Sequence, residues 1–463
     1  MTRQAFIVEQ PRHGTLRALN YEPAVERLRR TSQGQRIVRL RELVADLGSG
    51  YATVFARIAC EPEYGVELLS QSDMFAAEPQ GRIIRRDSME HPERHEVQKW
   101  QVLIAGAGTL APTELYGRAI IADDRLVGKY VGQDSLIIKF KEPGSDASLF
   151  AYAYLASATG LKALRASSYG TKILRIRRDI LAELPVPQPD DATVKHVADL
   201  VRKCVERREV SSRELQMARG ELEALPEMLE AHAMCAERRA HCITWNGELV
   251  TLSAWTYAST GGALEHLQRQ WKARLGDALV PNGLFNGPRF ARVNCDPPHG
   301  IEFMSQRDTF LIRPIARRIM HPGFEERMLF ARRGTIMIGG HGTLGEGEIF
   351  GKAMYIHGRF VNNAFTQDLL RVVPSSGNEA LTYAFCTTLV GMRLLRSTAV
   401  GTKILSMRPD LLVRLPFPEL DEHKMKRIGD HVDSAVNARE EADAAETEAI
   451  RIIEEEVLPA WLA

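Results

Sequence analysis

The chain has 463 residues, of which 44% are hydrophobic and 26% are charged, and its formal net charge is +1. A chain of this length is too long for one ordinary hydrophobic core, which predicts two to four domains. Its composition is that of a globular protein. With no apolar run long enough for a membrane span and no signal-peptide core, we expect a cytoplasmic protein.

The first part of the chain alternates short β-like runs with glycine-rich turns. The predicted strands are residues 101–104, 119–121 and 135–140. A short helix is predicted over 148–163, followed by the loop Gly170-Thr-Lys172 and a proline-rich segment over 184–189. Proline disfavours helix and favours an extended chain there.

A long helix follows this proline-rich segment, and a second long helix lies at the C-terminus. Apolar residues recur in each at alternating spacings of three and four, as in a coiled coil, with Arg208 in the first series and Arg439 and Glu446 in the second as polar interruptions. Roughly 35–40 residues each would give lengths of about 50–60 Å. We expect the helices to pair with each other, the alternative being that each packs on its own domain.

The same order of elements returns in the second half of the chain. Predicted strands at 335–338, 353–356 and 369–373 precede a helix over 379–396, and the ending Gly170-Thr-Lys-Ile-Leu174 returns unchanged as Gly401-Thr-Lys-Ile-Leu405. Matching segments are offset by 231 to 235 residues. The chain therefore contains an internal duplication. This indicates a pseudo-dimer suited to a target with two related halves.

The six cysteines include no Cys-x-x-Cys pair. Cys235 and Cys242 lie near His232 and His241, but their spacing matches no common zinc motif. We expect a reduced protein without disulfides, metal or cofactor.

The two module endings resemble those of a known family. Gly170–Leu174, Asp179 and Leu184-Pro-Val-Pro187 lead into one long helix, and Gly401–Leu405, Asp410 and Leu415-Pro-Phe-Pro418 lead into the other. This arrangement resembles the specificity subunit of type I restriction–modification systems over essentially the whole chain. Members of that family often carry a glutamine shortly after the proline segment, and residues 190–195 and 421–424 lack it, which leaves a related phage-defence system open.

The resemblance implies an α+β fold: two pseudo-symmetric mixed α/β target-recognition domains separated by long helices that pair as an antiparallel coiled coil. We expect the first domain at 1–190, its helical spacer at 191–242, the second domain at 243–418 and its spacer at 419–463. It also implies a non-catalytic subunit that reads a split site in double-stranded DNA. The implied partners are adenine methyltransferase subunits, with a nuclease–translocase subunit left open.

Candidate DNA contacts are basic and polar residues that occupy comparable places in both halves, because phosphates are bound by Arg and Lys and base edges by polar side chains. The candidates are Arg85, Arg86, Thr109, Arg165 and Lys172 in the first half and Arg317, Arg318, Thr343, Arg396 and Lys403 in the second. The matched residues suit phosphates or the fold, and the base-reading residues are expected among the unmatched positions. Lys172 and Lys403 have an equal alternative in capping the preceding helix or pairing with an acid.

Two other functions remain as alternatives. Residues 105–109 resemble an S-adenosylmethionine loop and Asp296-Pro-Pro-His299 resembles a methyltransferase motif, which would make the chain a DNA methyltransferase. The repeat argues against this, because Glu61-Pro-Glu-Tyr64 stands at the place that matches the second motif. The other alternative is a helical scaffold protein of a defence complex.

Overall fold

The computed structural model describes residues 14–30, 36–48, 51–236, 260, 262–345 and 347–462. The chain folds into two compact units. Unit 1 comprises Met1–Glu209 and Glu441–Ala463, and unit 2 comprises Val210–Glu440. Residues 237–242 of the predicted first spacer and 243–259 of the predicted second domain lie outside the described residues. The domain boundaries set from the sequence stay a prediction.

Unit 1 is built on a four-stranded antiparallel sheet. Its strands, in spatial order, are Val44–Leu47, Ser135–Phe140, Val102–Ala105 and Ala119–Ile121. The three predicted strands are confirmed. Because helices cover this sheet, its central strands are apolar and buried nearly throughout rather than alternating in polarity.

Three smaller sheets contain the other strands of unit 1 that the structure describes. One joins Arg82–Arg85 antiparallel, and Tyr130–Val131 parallel, to the middle strand Gly65–Leu69. The proline-rich segment forms the strand Pro185–Gln188, which pairs with Arg36–Arg39. The third sheet consists of Ser168–Tyr169, Leu174–Ile176 and Ala107–Gly108.

The prediction of one helix over 148–163 was wrong. Asp146–Ala156 and Ala158–Ala166 are separate helices, because Ser157 is extended and its hydroxyl caps the second helix by accepting from the Gly160 amide at 2.9 Å. The shorter α-helices of unit 1 are Pro23–Arg30, Leu40–Leu43, Gln71–Met74, Arg178–Ala182 and Leu458–Leu462.

Among the described residues, unit 2 repeats the central sheet and two of the three smaller sheets of unit 1, and a single bridge between Arg274 and Pro416 takes the place of the two-stranded sheet. Its central sheet runs Leu279–Asn286, Leu369–Pro374, Ile336–Gly339 and Ala353–Tyr355. One smaller sheet has the strand order Arg317–Ile319, Ile301–Met304 and Ala364–Phe365. The other has the order Ala399–Val400, Leu405–Met407 and His341–Gly342. The three strands predicted for this half are confirmed.

The helix predicted over 379–396 is again two helices. Glu379–Thr387 ends at Thr388, whose hydroxyl accepts from the Gly391 amide at 2.9 Å and caps Leu389–Ser397. The shorter helices of unit 2 are Pro226–Ala236, Ala263–Gln270, Gln306–Thr309, Glu326–Leu329 and Pro409–Leu412.

The first long helix is Asp191–Glu223, and the second is Glu422–Ile452, which continues into a π-helical turn, Ile453–Val457. Within each unit a segment of one packs antiparallel on a segment of the other. In unit 2, Glu214 pairs with His431 and Glu221 with Arg427, so residue numbers increase along one helix where they decrease along the other. The helices therefore pair with each other as expected, and their apolar stripes also join the core of each unit, so that packing on the domains, the stated alternative, occurs as well.

Among the described residues, every helix is too short or too polar to cross a bilayer.

Candidate nucleic-acid interface

Each unit carries a short β-hairpin that ends in the repeated loop. In unit 1, Ser168–Tyr169 pairs with Leu174–Ile176, and in unit 2, Ala399–Val400 pairs with Leu405–Met407. Residues 170–173 and 401–404 form the hairpin loops, which we call tip 1 and tip 2. The glycine-rich strand lies beside the hairpin, since Gly108 pairs with Leu174 and Gly342 with Leu405.

The glycine that opens each tip has a conformational reason. Gly170 has φ of +93° and Gly401 has φ of +116°, in the left-handed region that favours glycine. A Cβ at these positions would also lie 2.6 Å from the carbonyl oxygen of Ile173 and 2.7 Å from that of Ile404. Leu174 and Leu405 at the far end of each loop are buried, so the fold explains the first and last residues of the repeated pentapeptide.

The three residues between them point into solvent. Thr171, Lys172 and Ile173 are exposed, as are Thr402, Lys403 and Ile404. The strand pairing places exposed Thr109 beside tip 1 and exposed Thr343 beside tip 2. Four of the predicted site residues, the two threonines and the two lysines, are therefore brought together in matched pairs.

The ammonium groups of Lys172 and Lys403 form no ion pair within the described part of the chain. The carboxylates nearest in the chain are engaged elsewhere: Asp179 with Arg177 and Asp410 with Arg408. The Arg177 and Arg408 guanidinium groups hold the pKa values of these carboxyls below their usual range. The lysines are free to bind an anion such as a phosphate, and the acid-pairing alternative finds no support.

A matched glutamine fixes the glycine-rich strand beside each tip. The Gln71 side-chain amide donates to the Ala107 carbonyl at 2.9 Å, and its oxygen accepts from the Ala107 amide at 3.1 Å. Gln306 makes the same two bonds to His341, at 2.7 and 3.3 Å. These glutamines were not among the predicted site residues, although the repeat of Ser70-Gln71 as Ser305-Gln306 is a signal for them in the sequence.

Unit 1 has one further anchor that the sequence did not reveal. The Tyr51 hydroxyl donates to the Gly106 carbonyl at 2.7 Å and accepts from the Ile176 amide at 2.9 Å, so it joins the glycine-rich strand to the hairpin. Burial raises the pKa of this phenol well above its usual value, which keeps it a neutral donor. These hydrogen bonds fix the strands that support tip 1.

The prediction that Arg165 and Arg396 contact DNA is not supported. The Arg396 side chain is 1% exposed and donates to the carbonyls of Phe350 and Glu348 at 2.8 and 3.2 Å. Arg165 likewise donates to the carbonyls of Tyr116, Ala111 and Glu114. Both guanidinium groups hold the loop after the glycine-rich strand, so they are matched because the fold needs them.

The matching of Arg85-Arg86 with Arg317-Arg318 was wrong by three residues. Strand pairing sets Arg85 opposite Gly65, whereas Arg317 stands opposite Phe303, which corresponds to Leu68. Since Leu68 pairs with Arg82, the arginine that matches Arg317 is Arg82. The two hairpins have the same length, so the offset of 235 residues that relates Leu68 to Phe303 also relates Arg82 to Arg317.

The four arginines also differ in their surroundings. Arg85 is exposed and pairs with Asp87, while Arg86 donates to the Tyr130 hydroxyl at 3.3 Å. The half-buried Arg317 guanidinium lies 5.2 Å from the centre of the Phe303 ring, and burial lowers its pKa.

Arg318 is bound to the Glu302 carboxylate at 2.6 Å. Because Arg85 and Arg86 remain on the surface, they stay candidates for phosphate contact in unit 1.

The geometry of the methyltransferase-like fragments differs from that of a nucleotide site. Residues 105–109 comprise the end of the strand Val102–Ala105 and the strand Ala107–Gly108, and no helix begins at these glycines. A cofactor-binding glycine loop presents the amides of a helix N-terminus. Asp296 lies in an exposed loop of unit 2, and residues 105–109 belong to unit 1.

Among the described residues, no group of three or more His, Cys, Asp or Glu side chains could hold a metal ion. Cys242 and His241, which entered the zinc alternative, lie outside them.

No family model and no curated protein matches the chain. Solved structures do. The chain is similar to the S subunit of a type I restriction–modification system from M. genitalium, with 14% identity, a TM-score of 0.32, and coverage of 93% of this chain and 97% of that chain.

It is also similar to the HsdS subunit from Thermoanaerobacter tengcongensis, with 16% identity, a TM-score of 0.27 and coverage of 93% and 97%. A third match, at 15% identity, a TM-score of 0.27 and coverage of 93% and 98%, comes from a structure of complex assembly and conformational transition of the type I R-M system.

Proposed function

We propose that the chain is a non-catalytic DNA sequence-recognition subunit that reads a bipartite site in double-stranded DNA. The main support for this proposal is that both units repeat the same arrangement of sheets. Each unit also presents an identical exposed tip. Two similar modules on one chain suit a target with two similar halves. The module endings that resemble those of type I specificity subunits support the same role.

Within each unit, matched and unmatched residues have different tasks. Lys172 and Lys403 contact DNA phosphates, with Thr109 and Thr343 as hydroxyl donors beside them, and these contacts are alike in both half-sites. Base edges are read by residues that differ between the units, because the two halves of the target differ in sequence. Arg85 and Arg86 add phosphate contacts in unit 1 alone.

The partners are adenine methyltransferase subunits, and in some assemblies a nuclease–translocase, acting in the cytoplasm. The net charge of +1 supports a role in a complex, since a protein that binds DNA alone carries a larger basic excess. The isolated chain should therefore bind DNA weakly and with steep salt dependence, and the assembled complex should bind tightly.

The test is single-molecule sequencing of methylated bases in cells that express the chain together with its neighbouring genes. Deletion of this gene should abolish methylation of one bipartite motif and leave other methylation unchanged. A matched control carries Val127→Ala, an exposed apolar residue that belongs to neither tip, and should keep the motif methylated. An unchanged methylome on deletion, with the neighbouring methyltransferase active, would contradict the proposal.

A further inference from the structure

The two tips are identical at positions where folding does not require identity. Of the repeated Gly-Thr-Lys-Ile-Leu, the glycine is set by its backbone conformation and the leucine by burial. The threonine, lysine and isoleucine between them are exposed in both units, and Ile173 and Ile404 remain 61% and 67% exposed. An isoleucine left this exposed gains little from burial in the folded chain.

The neighbouring segment repeats this identity. Gly108-Thr-Leu110 and Gly342-Thr-Leu344 are the same tripeptide, and strand pairing sets each directly beside a tip. Two segments some sixty residues apart thus converge on the same small surface, with the same residues, in each unit. Whatever these surfaces contact must be common to both units, which excludes bases that differ between the half-sites.

A phosphate backbone and a partner protein present in two copies both meet this condition. A stable protein interface buries about 800 Å² per partner, far more than one hairpin loop can supply. Insertion of one aliphatic side chain between base pairs needs only a protruding tip, and isoleucine is among the residues that serve as such wedges. Lysine and threonine on either side can hold the flanking phosphates.

We infer that Ile173 and Ile404 are apolar wedges that insert into the duplex, one at each half-site, and locally unstack a base step. This inference rests on the proposed function and specifies how the matched surface acts. A methyltransferase must turn its target base out of the helix, and unstacking beside the base lowers the free energy required. The wedge would therefore assist modification without reading sequence.

The experiment uses the full chain assembled with its methyltransferase subunits. The probe is a duplex carrying the bipartite motif found by methylome sequencing, with 2-aminopurine placed at successive positions across each half-site. The wild-type complex should raise 2-aminopurine fluorescence at one step in each half-site. Ile173→Ala should abolish this rise in one half-site and Ile404→Ala in the other, while Ile173→Leu and the control Val127→Ala should keep both.

Three results would overturn the inference. Unstacking that persists in the double variant Ile173→Ala/Ile404→Ala shows that the wedge lies elsewhere. Loss of the methyltransferase subunits from the double variant on size-exclusion chromatography assigns the tips to protein docking. If the wild-type complex binds the motif no better than a scrambled duplex, the proposed function itself fails, a result that the variants alone cannot produce.

Discussion

In unit 1 the two long helices meet through a buried ion pair, whereas the matching positions of unit 2 hold an arginine and a leucine. Arg208 donates to the Glu446 carboxylate at 2.7 Å, and the exposed fractions of the two side chains are 0% and 3%. At an offset of 231 residues, Arg208 corresponds to Arg439 and Glu446 to Leu215. Arg439 instead donates to the carbonyl of Ile312, and Leu215 joins the core.

The reverse difference occurs about two helical turns from the arginine positions. Unit 2 pairs His431 with Glu214 at 2.8 Å, where unit 1 has Leu200 and Ala445 in an apolar cluster. Repeated backbones therefore tolerate different polar pairs, provided that each buried charge finds a partner within its own unit. What the units share without change is the exposed tip, which packing does not constrain.

The largest expected effect comes from removing one partner of the buried ion pair. Glu446→Leu copies the residue of unit 2, but it leaves the Arg208 guanidinium buried without its carboxylate. We expect the free energy of unfolding to fall by about 3–5 kcal/mol, measured by denaturant titration. The double variant Arg208→Met/Glu446→Leu removes both charges and should recover most of the loss. A loss below about 1 kcal/mol for Glu446→Leu would mean that the pair is replaceable.

The tips offer a comparison in which both units should respond alike. Gly170→Ala or Gly401→Ala forces a Cβ into a left-handed backbone and against a carbonyl oxygen. Each should destabilise its hairpin by about 1–2 kcal/mol. Hydrogen exchange should become faster for the hairpin amides of the altered unit alone. Gly377→Ala, also at positive φ but with open space around its Cβ, is a control for the steric part.

A smaller effect is expected for the lysines of the tips. Lys172→Gln and Lys403→Gln should each weaken DNA binding by the complex and reduce the slope of log affinity against log salt by about 1, because one phosphate contact is lost. The two changes should be equal and independent of target sequence. Lys195→Gln, on the first long helix, is the matched control. A change in sequence preference with either tip variant would assign that lysine to base reading.

The smallest effect concerns pH and belongs to unit 1. His95 is buried, contacts the Val131 carbonyl and the Thr53 hydroxyl at 3.0 and 3.1 Å, and burial lowers its pKa below 6.5. The unfolded chain therefore takes up this proton first as the pH falls, and stability should decline below about pH 6.5. His95→Leu should flatten that decline in unfolding measured from pH 7 to 5. An unchanged slope would place the titrating group elsewhere.

Local residue patterns were sufficient for several parts of the fold. The six strands predicted in the two central sheets are confirmed, because short apolar runs between glycine turns leave few alternatives. The two long helices follow from their apolar periodicity. The single helices predicted over 148–163 and 379–396 were wrong, since one capping hydroxyl decides such a break.

The candidate site was only partly predictable for a different reason. The internal repeat singled out Thr109, Lys172, Thr343 and Lys403, which do lie together at the tips. The same repeat also singled out Arg165 and Arg396, whose guanidinium groups face main-chain carbonyls. Identity between the repeats indicates that a residue is constrained. It does not show whether the fold or a bound ligand imposes that constraint.

The sequence by itself determined the duplication, the strands and the long helices, because these depend on residue order and periodicity along the chain. Tertiary structure decided which residues stand side by side: Gln71 on Ala107, Arg208 on Glu446, and Thr109 beside tip 1. Such contacts join segments far apart in the chain, and each depends on strand register and helix packing. Side-chain exposure follows from the same packing, so only the folded chain separates the anchoring arginines from the lysines that remain in solvent.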